Sequence, residues 1–149
     1  MRWLALDLGS RRVGVAMCDA DEKVVTALRP LAYAGPERLA ENVERLVHEW
    51  GAGGLVVGVP CTRTGQSRGE RRAAAVVAAC QGVVTVPIEL EDERGTSAAA
   101  AALLAEAGVP RRRWAALVDS VSARIILESH LATAARKRRG GIDLPPSGC

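Results

Sequence analysis

Residues 3–8, WLALDL, form an apolar run broken by a single carboxylate. A second β-rich run, residues 13–19, follows across the turn GSRR, and KVVTALRPLAY (23–33) supplies a third extended segment after the turn DADE. Three strands joined by short turns predict an antiparallel meander. In GPERLAENVERLVHEWG the period changes: Leu39, Val43, Leu46, Val47 and Trp50 recur at helical spacing, Pro36 suits a first turn, and Gly51 suits a stop. GLVVGVP is a short, continuously apolar run of the kind buried on both faces of a sheet. Beyond the polar loop CTRTGQSRG, the pattern predicts a helix over ERRAAAVVAACQG closed by Gly82 and a strand over VVTVPIELEDERG. It then predicts a helix over TSAAAAALLAEAG ending at Gly108, and a last helix near VDSVSARIILESHLATAARK. The order βββ-α-β-α-β-α-α predicts an α/β fold with a five-stranded mixed sheet, its first three strands antiparallel and its later ones parallel through βαβ units, flanked by helices.

Asp7 is the position this pattern does not explain. An unpaired carboxylate in a buried strand costs several kcal/mol, so either something neutralises it or the strand end opens onto a site that uses it. Two other groups of acids are placed to join it. The strand VVTVPIELEDERG runs into Glu89, Glu91, Asp92 and Glu93, and Asp119 follows an apolar stretch at or near a helix start. Each also has a plainer reading, Asp119 as a helix N-cap and EDER as a solvated strand end paired with Arg94. Carboxylates converging at one sheet edge repel unless a divalent cation sits between them, and oxygen-only ligands suit Mg²⁺ or Mn²⁺.

Length and composition narrow the setting. At 149 residues, nearly half of them apolar, the chain fits one globular domain, expected over 1–135. A basic tail, 136–149, is expected to be mostly disordered. No apolar stretch approaches the ~20 residues that span a bilayer, and the start of the chain lacks a signal-peptide pattern, so the cytoplasm is expected. Cys18, Cys61, Cys80 and Cys149 show no C-x-x-C pair, which argues against a zinc site or a disulfide framework. The two histidines, His48 and His130, read as solvated or packed residues rather than ligands. Of 20 basic residues 18 are Arg, a ratio that compositional bias accounts for. Their placement is more informative, because Arg11, Arg12, Arg63, Arg68, Arg71, Arg72, Arg94, Arg111–Arg113 and the run RKRR at 136–139 flank or occupy predicted loops. Basic clusters of this kind are a phosphate-binding footprint as well as a solvated surface.

Four blocks of the chain resemble the YqgF/RuvX family of ribonuclease H-like nucleases, relatives of the RuvC Holliday-junction resolvases. LALDLGSRRVGVAMCD is similar to the family's opening D-x-G-x-x-R-x-G-x-A strand pair. LVVGVPCTRTGQSRGERR resembles its V-G-x-P block, VPIELEDERGTSAAAAALLAEAG its D-E-R block, and VDSVSARIILESHL its closing D-x-x-A-A-x-x-I-L block. The resemblance implies a ribonuclease H-like fold with Asp7, Glu93 and Asp119 as catalytic, metal-binding acids, and it is what selects Glu93 within EDER. It also implies a Mg²⁺- or Mn²⁺-dependent nuclease, either maturing the 5′ end of pre-16S rRNA or cleaving branched DNA, and acting as a monomer or homodimer. Gly9, Ser10, Arg11, Arg12, Arg68, Arg71, Arg72 and Arg94 are the expected nucleic-acid contacts, with Gly9 and Gly14 letting the hairpin backbone approach a phosphate. The chain departs from the family pattern at Cys61, Thr62 and Thr64, at Gly95 after DER, and at Ser122, where RuvC-type resolvases carry another Asp.

Two further readings come from other classes. DLGSRRVGVA also resembles the phosphate loop of actin-like ATPases, which need two such domains around a nucleotide. An inert nucleic-acid-binding module would keep the fold without the activity, and the three acids weigh against it.

Overall fold

The computed structural model describes residues 1–9, 11–60, 67–93 and 95–140. Strands β1 (Trp3–Leu8), β2 (Arg12–Cys18) and β3 (Val25–Ala32) form the expected meander. Helix α1 (Pro36–Trp50) leads to β4 (Gly54–Val59), α2 (Arg68–Val83) to β5 (Ile88–Asp92), and α3 (Thr96–Glu106) precedes the long α4 (Trp114–Arg138). The five strands lie in the order β3-β2-β1-β4-β5, with β4 parallel to both β1 and β5. Asp7 therefore sits on the central strand.

Alternation along β1 divides the core in two. Leu4 and Leu6 face one side and pack with Leu39, Val43, Val47, Val76 and Cys80 of α1 and α2. Trp3 and Ala5 face the other, with Ala16, Val56 and the α4 residues Ala123, Ile126 and Leu127. Each fully buried Leu contributes about 2 kcal/mol. Ala5, Gly14, Ala16 and Gly58 are small positions on the α4 face of the sheet and let the helix lie close to it.

Several boundaries move from their predicted places. α2 runs through Gly82 to Val83, because the Val84 N–H still bonds back to Cys80 O, so β5 begins only at Ile88. Trp50, placed in the apolar stripe of α1, is 40% exposed at the end of the helix. α4 starts at Trp114, out of a 3-10 turn over Arg111–Arg113, and the Trp114 indole Nε1 donates to Val109 O at 2.9 Å. Asp119 is therefore inside the helix and does not cap it. At the other end α4 continues to Arg138, whose guanidinium meets Glu22 at 3.3 Å, so Arg136–Arg138 are helical where the sequence suggested the start of a tail. Residues 141–149 lie outside the described residues, as do Cys61, Thr62 and Thr64. Among the described residues, no helix is long and apolar enough to cross a membrane. Cys18 and Cys80 are free, buried thiols.

Candidate active site

Asp7 lies on the α4 side of the sheet, near the C-terminal end of β1, with a glycine beside it on each neighbouring strand. Gly14 of β2 is its partner on one side and Gly58 of β4 on the other. Neither glycine is incidental. A Cβ at Gly14 would fall on the Asp119 carbonyl oxygen, and a Cβ at Gly58 would fall on the Ile126 side chain and lie 3.3 Å from Glu93 Oε2. The missing side chains let α4 bring Asp119 over the strand pair and leave room for Glu93 at the end of β5. Gly9 adds to this, since a Cβ there would meet Arg12 O at 2.6 Å and Asp119 Oδ1 at 3.1 Å. The sequence suggested that Gly14 lets the backbone approach a phosphate, but the space beside it is filled by the backbone of α4.

The three acids are half-buried at this strand end. Glu93 donates a hydrogen bond to Asp7, so the two carboxyl groups share a proton. Burial, that hydrogen bond and the charges of Asp7 and Asp92 push Glu93 up to about 8. Burial also raises Asp7; the hydrogen bond from Glu93 opposes this, and the Asp119 charge adds to it. Burial raises Asp119 as well, against the pull of the Arg12 guanidinium. Raised carboxylate pKa values clustered at a strand end are the electrostatic signature of a site that uses charge.

Among the described residues, no group of three or more His, Cys, Asp or Glu side chains is already gathered to hold a metal. The donor chemistry nonetheless fits a hard divalent cation. All the donors are carboxylate oxygens, and Glu93 Oε2 is buried with no hydrogen-bond partner. A cation between these acids would replace the shared proton and relieve their mutual repulsion.

A family model described as "RuvX: Holliday junction resolvase" matches residues 1–133. The chain belongs to the RuvX family. Its relatives include a protein of Pelotomaculum thermopropionicum named "Putative pre-16S rRNA nuclease", 38% identical over 99% of this chain and 97% of that one. A Chloroflexus aurantiacus protein of the same name is 37% identical over 97% of this chain and 95% of that one. In fold, the chain is similar to Thermus thermophilus RuvC in complex with a Holliday junction substrate. The TM-score is 0.58 at 14% identity, covering 89% of this chain and 97% of that one. A fowlpox virus resolvase bound to Holliday junction DNA gives a TM-score of 0.57 at 8% identity, over 90% and 99% of the two chains. These likenesses carry the ribonuclease H-like, RuvC-like fold.

The basic residues divide into separate groups. Arg11 and Arg12 are exposed at the start of β2, with Arg12 near Asp119, and Arg68 and Arg71 are exposed on the first turns of α2. Arg72 does not stand free beside them: its guanidinium stacks 3.8 Å from the centre of the Tyr33 ring, and the Tyr33 N–H donates to Arg11 O. Ser10 and Arg94 lie outside the described residues. Sequence reasoning missed three features. Gly58 carries no signal in an apolar run, and Tyr33 none as a stacking partner. His130, read as an ordinary packed residue, is buried against Glu89 and Glu91. His48 makes a surface pair with Glu44 at 2.8 Å, as a solvated histidine should.

Proposed function

We propose that this chain is a divalent-metal-dependent nuclease that hydrolyses phosphodiester bonds, with 5′-end maturation of pre-16S rRNA as its task. Asp7, Glu93 and Asp119 are its catalytic acids. The observation that carries the reading is the meeting of three separate chain segments at one glycine-flanked strand end, in a member of the RuvX family. These acids would hold Mg²⁺ or Mn²⁺, which when bound supplies a Lewis acid for the phosphoryl group and a water of lowered pKa. The chain's own residues do the rest. Asp7 offers a carboxylate on the central strand, Glu93 gives up its proton to become a second anion, and Arg12 tempers the charge of Asp119. Arg11, Arg12, Arg68 and Arg71 bind the phosphate backbone, together with Gly9, Ser10 and Arg94. The protein acts in the cytoplasm as a monomer or homodimer.

Identity of about 38% to proteins named for pre-16S rRNA favours RNA, and Ser122 lies where resolvases carry a further acid. The RuvC-like fold supports the second reading, cleavage of a four-way DNA junction. A Mn²⁺-dependent cleavage assay compares a single-stranded pre-16S leader with a four-way junction, using the wild type and Asp7→Asn. Cleavage of the leader by the wild type alone is expected, with nucleic-acid binding retained in the variant. Preference for the junction would replace the RNA assignment. Wild-type rates in Asp7→Asn would remove Asp7 from the site.

A further inference from the structure

β5 is an edge strand, paired only to β4. The side chains it turns toward α4 are Glu89 and Glu91, and Glu93, one residue past its end, continues the two-residue spacing that puts them on one face. It therefore offers α4 no apolar surface there, and hydrophobic packing cannot hold the two together. Polar contacts take its place, one turn beyond Ile126. Ser129 Oγ donates to Glu91 Oε1 at 2.9 Å. The neighbouring His130 ring lies between two carboxylates, with Nδ1 3.8 Å from Glu91 Oε2 and Nε2 3.3 Å from Glu89 Oε2. The second contact is within ion-pair range but off the hydrogen-bond axis, and Nε2 has no other partner. His130 is pinned from behind by Trp3 of β1, edge-on with ring centroids 4.6 Å apart. The His130 side chain is only 8% exposed and that of Glu91 17%, so these two meet largely out of water, where polar contacts are strongest, while Ser129 and Glu89 complete the contact from the solvent side.

We infer that Ser129 and His130 form a positioning clamp that grips Glu91 and Glu89 and thereby fixes Glu93 relative to Asp119. Asp119 is on the same helix as the clamp, and Glu93 is the next residue on the gripped face of β5. Glu93 is tied to the sheet by its N–H to Val59 O at 3.0 Å and by its carboxyl to Asp7, and Asp119 is seated over Gly14. Between α4 and β5 themselves, the Ile126 side chain over Gly58 resists approach but does not prevent sliding. The functional consequence rests on the nuclease reading, since an error of about 1 Å in a catalytic group costs on the order of 10²-fold in rate. The clamp itself is legible without metal or substrate.

The test uses the full chain and Ser129→Ala, an exposed position where folding is not at risk, with Glu91→Gln as a second variant and Ser129→Thr as a rescue that keeps the hydroxyl. Amide hydrogen exchange is followed by mass spectrometry over 88–93 and, for comparison, over 54–59, in metal-free protein. Mn²⁺ affinity is read by electron paramagnetic resonance, and kcat and KM by leader cleavage. In Ser129→Ala, exchange should rise several-fold over 88–93 and stay constant over 54–59. Mn²⁺ should bind about threefold to tenfold more weakly, and kcat should fall about tenfold at unchanged KM. Ser129→Thr should restore all of these. Unchanged exchange in β5 would overturn the clamp, as would an equal rise in β4 and β5 or a loosened β5 with wild-type Mn²⁺ affinity. A wild type that neither binds Mn²⁺ nor cleaves defeats the nuclease reading instead, and the exchange measurement still decides the clamp.

Discussion

Replacing Glu93 with Gln should stabilise the metal-free protein at alkaline pH and leave it nearly unchanged at pH 5. The reason is the direction of the Glu93 shift. Burial and the Asp7 carboxylate raise it from 4.5 to about 8 in the folded protein, so folding favours the protonated form. Stability from such a group is fully present below the unfolded value of 4.5 and is lost as pH rises through about 8. At about 1.4 kcal/mol per tenfold change, the whole shift corresponds to an upper bound of about 5 kcal/mol. The side chain is only half-buried and shares its proton with Asp7, so solvent screening and the shared titration reduce this to ~2 kcal/mol. Glutamine keeps a donor for Asp7 and carries no charge, and should therefore recover that amount above pH 8. For a chain of this size the gain corresponds to about 6 °C in Tm. Thermal unfolding in a chelating buffer at pH 5 and pH 9 makes the measurement. Adding Mn²⁺ at pH 9 should raise the Tm of the wild type and have little effect on Glu93→Gln, because a cation that binds only the folded acids stabilises by mass action. Equal Tm differences between wild type and variant at the two pH values would refute the argument, and with it the proton shared by Asp7 and Glu93.

Gly14→Ala places a methyl group on the α4 backbone at Asp119 and should cost about 4 kcal/mol or more, read by urea unfolding. Wild-type stability would mean that the α4 backbone does not fill the space beside Gly14. Arg71→Gln should lower nucleic-acid affinity and flatten the log–log salt dependence by about one phosphate, as judged by fluorescence anisotropy from 50 to 300 mM salt. By contrast, Arg72→Gln should lower Tm through loss of the Tyr33 stack, with less effect on that slope. Deleting 141–149 should leave the single-turnover cleavage rate at saturating enzyme unchanged, since Asp143 is the only acidic side chain there; a reduced rate would place the tail beside the acids.

Periodicity and turn chemistry determined the order and type of the elements. The apolar run of β1, the helical stripe of α1 and the change of period at GLVVGVP each appear in the structure where local spacing placed them. Asp7 stood out because a charge in an apolar strand conflicts with burial, and that conflict is visible in a few consecutive letters. Motif resemblance added Glu93 and Asp119. Local sequence did not determine where α2 and α4 end, because propensities change little across CQGVV or RRRWAALVD and the last turns are set by packing and capping bonds. Nor did it reveal why Gly14 and Gly58 are glycines, since each makes room for a side chain or backbone from another part of the chain. The His130 clamp was hidden for the same reason: a histidine on a helix reads as ordinary until the tertiary fold sets Glu89 and Glu91 of an edge strand against it. Period-2 and period-3.6 patterns record what a residue does to its own element. Contacts between α4, β2 and β5 are decided only when the sheet is assembled, by the shape and charge of surfaces far apart in sequence.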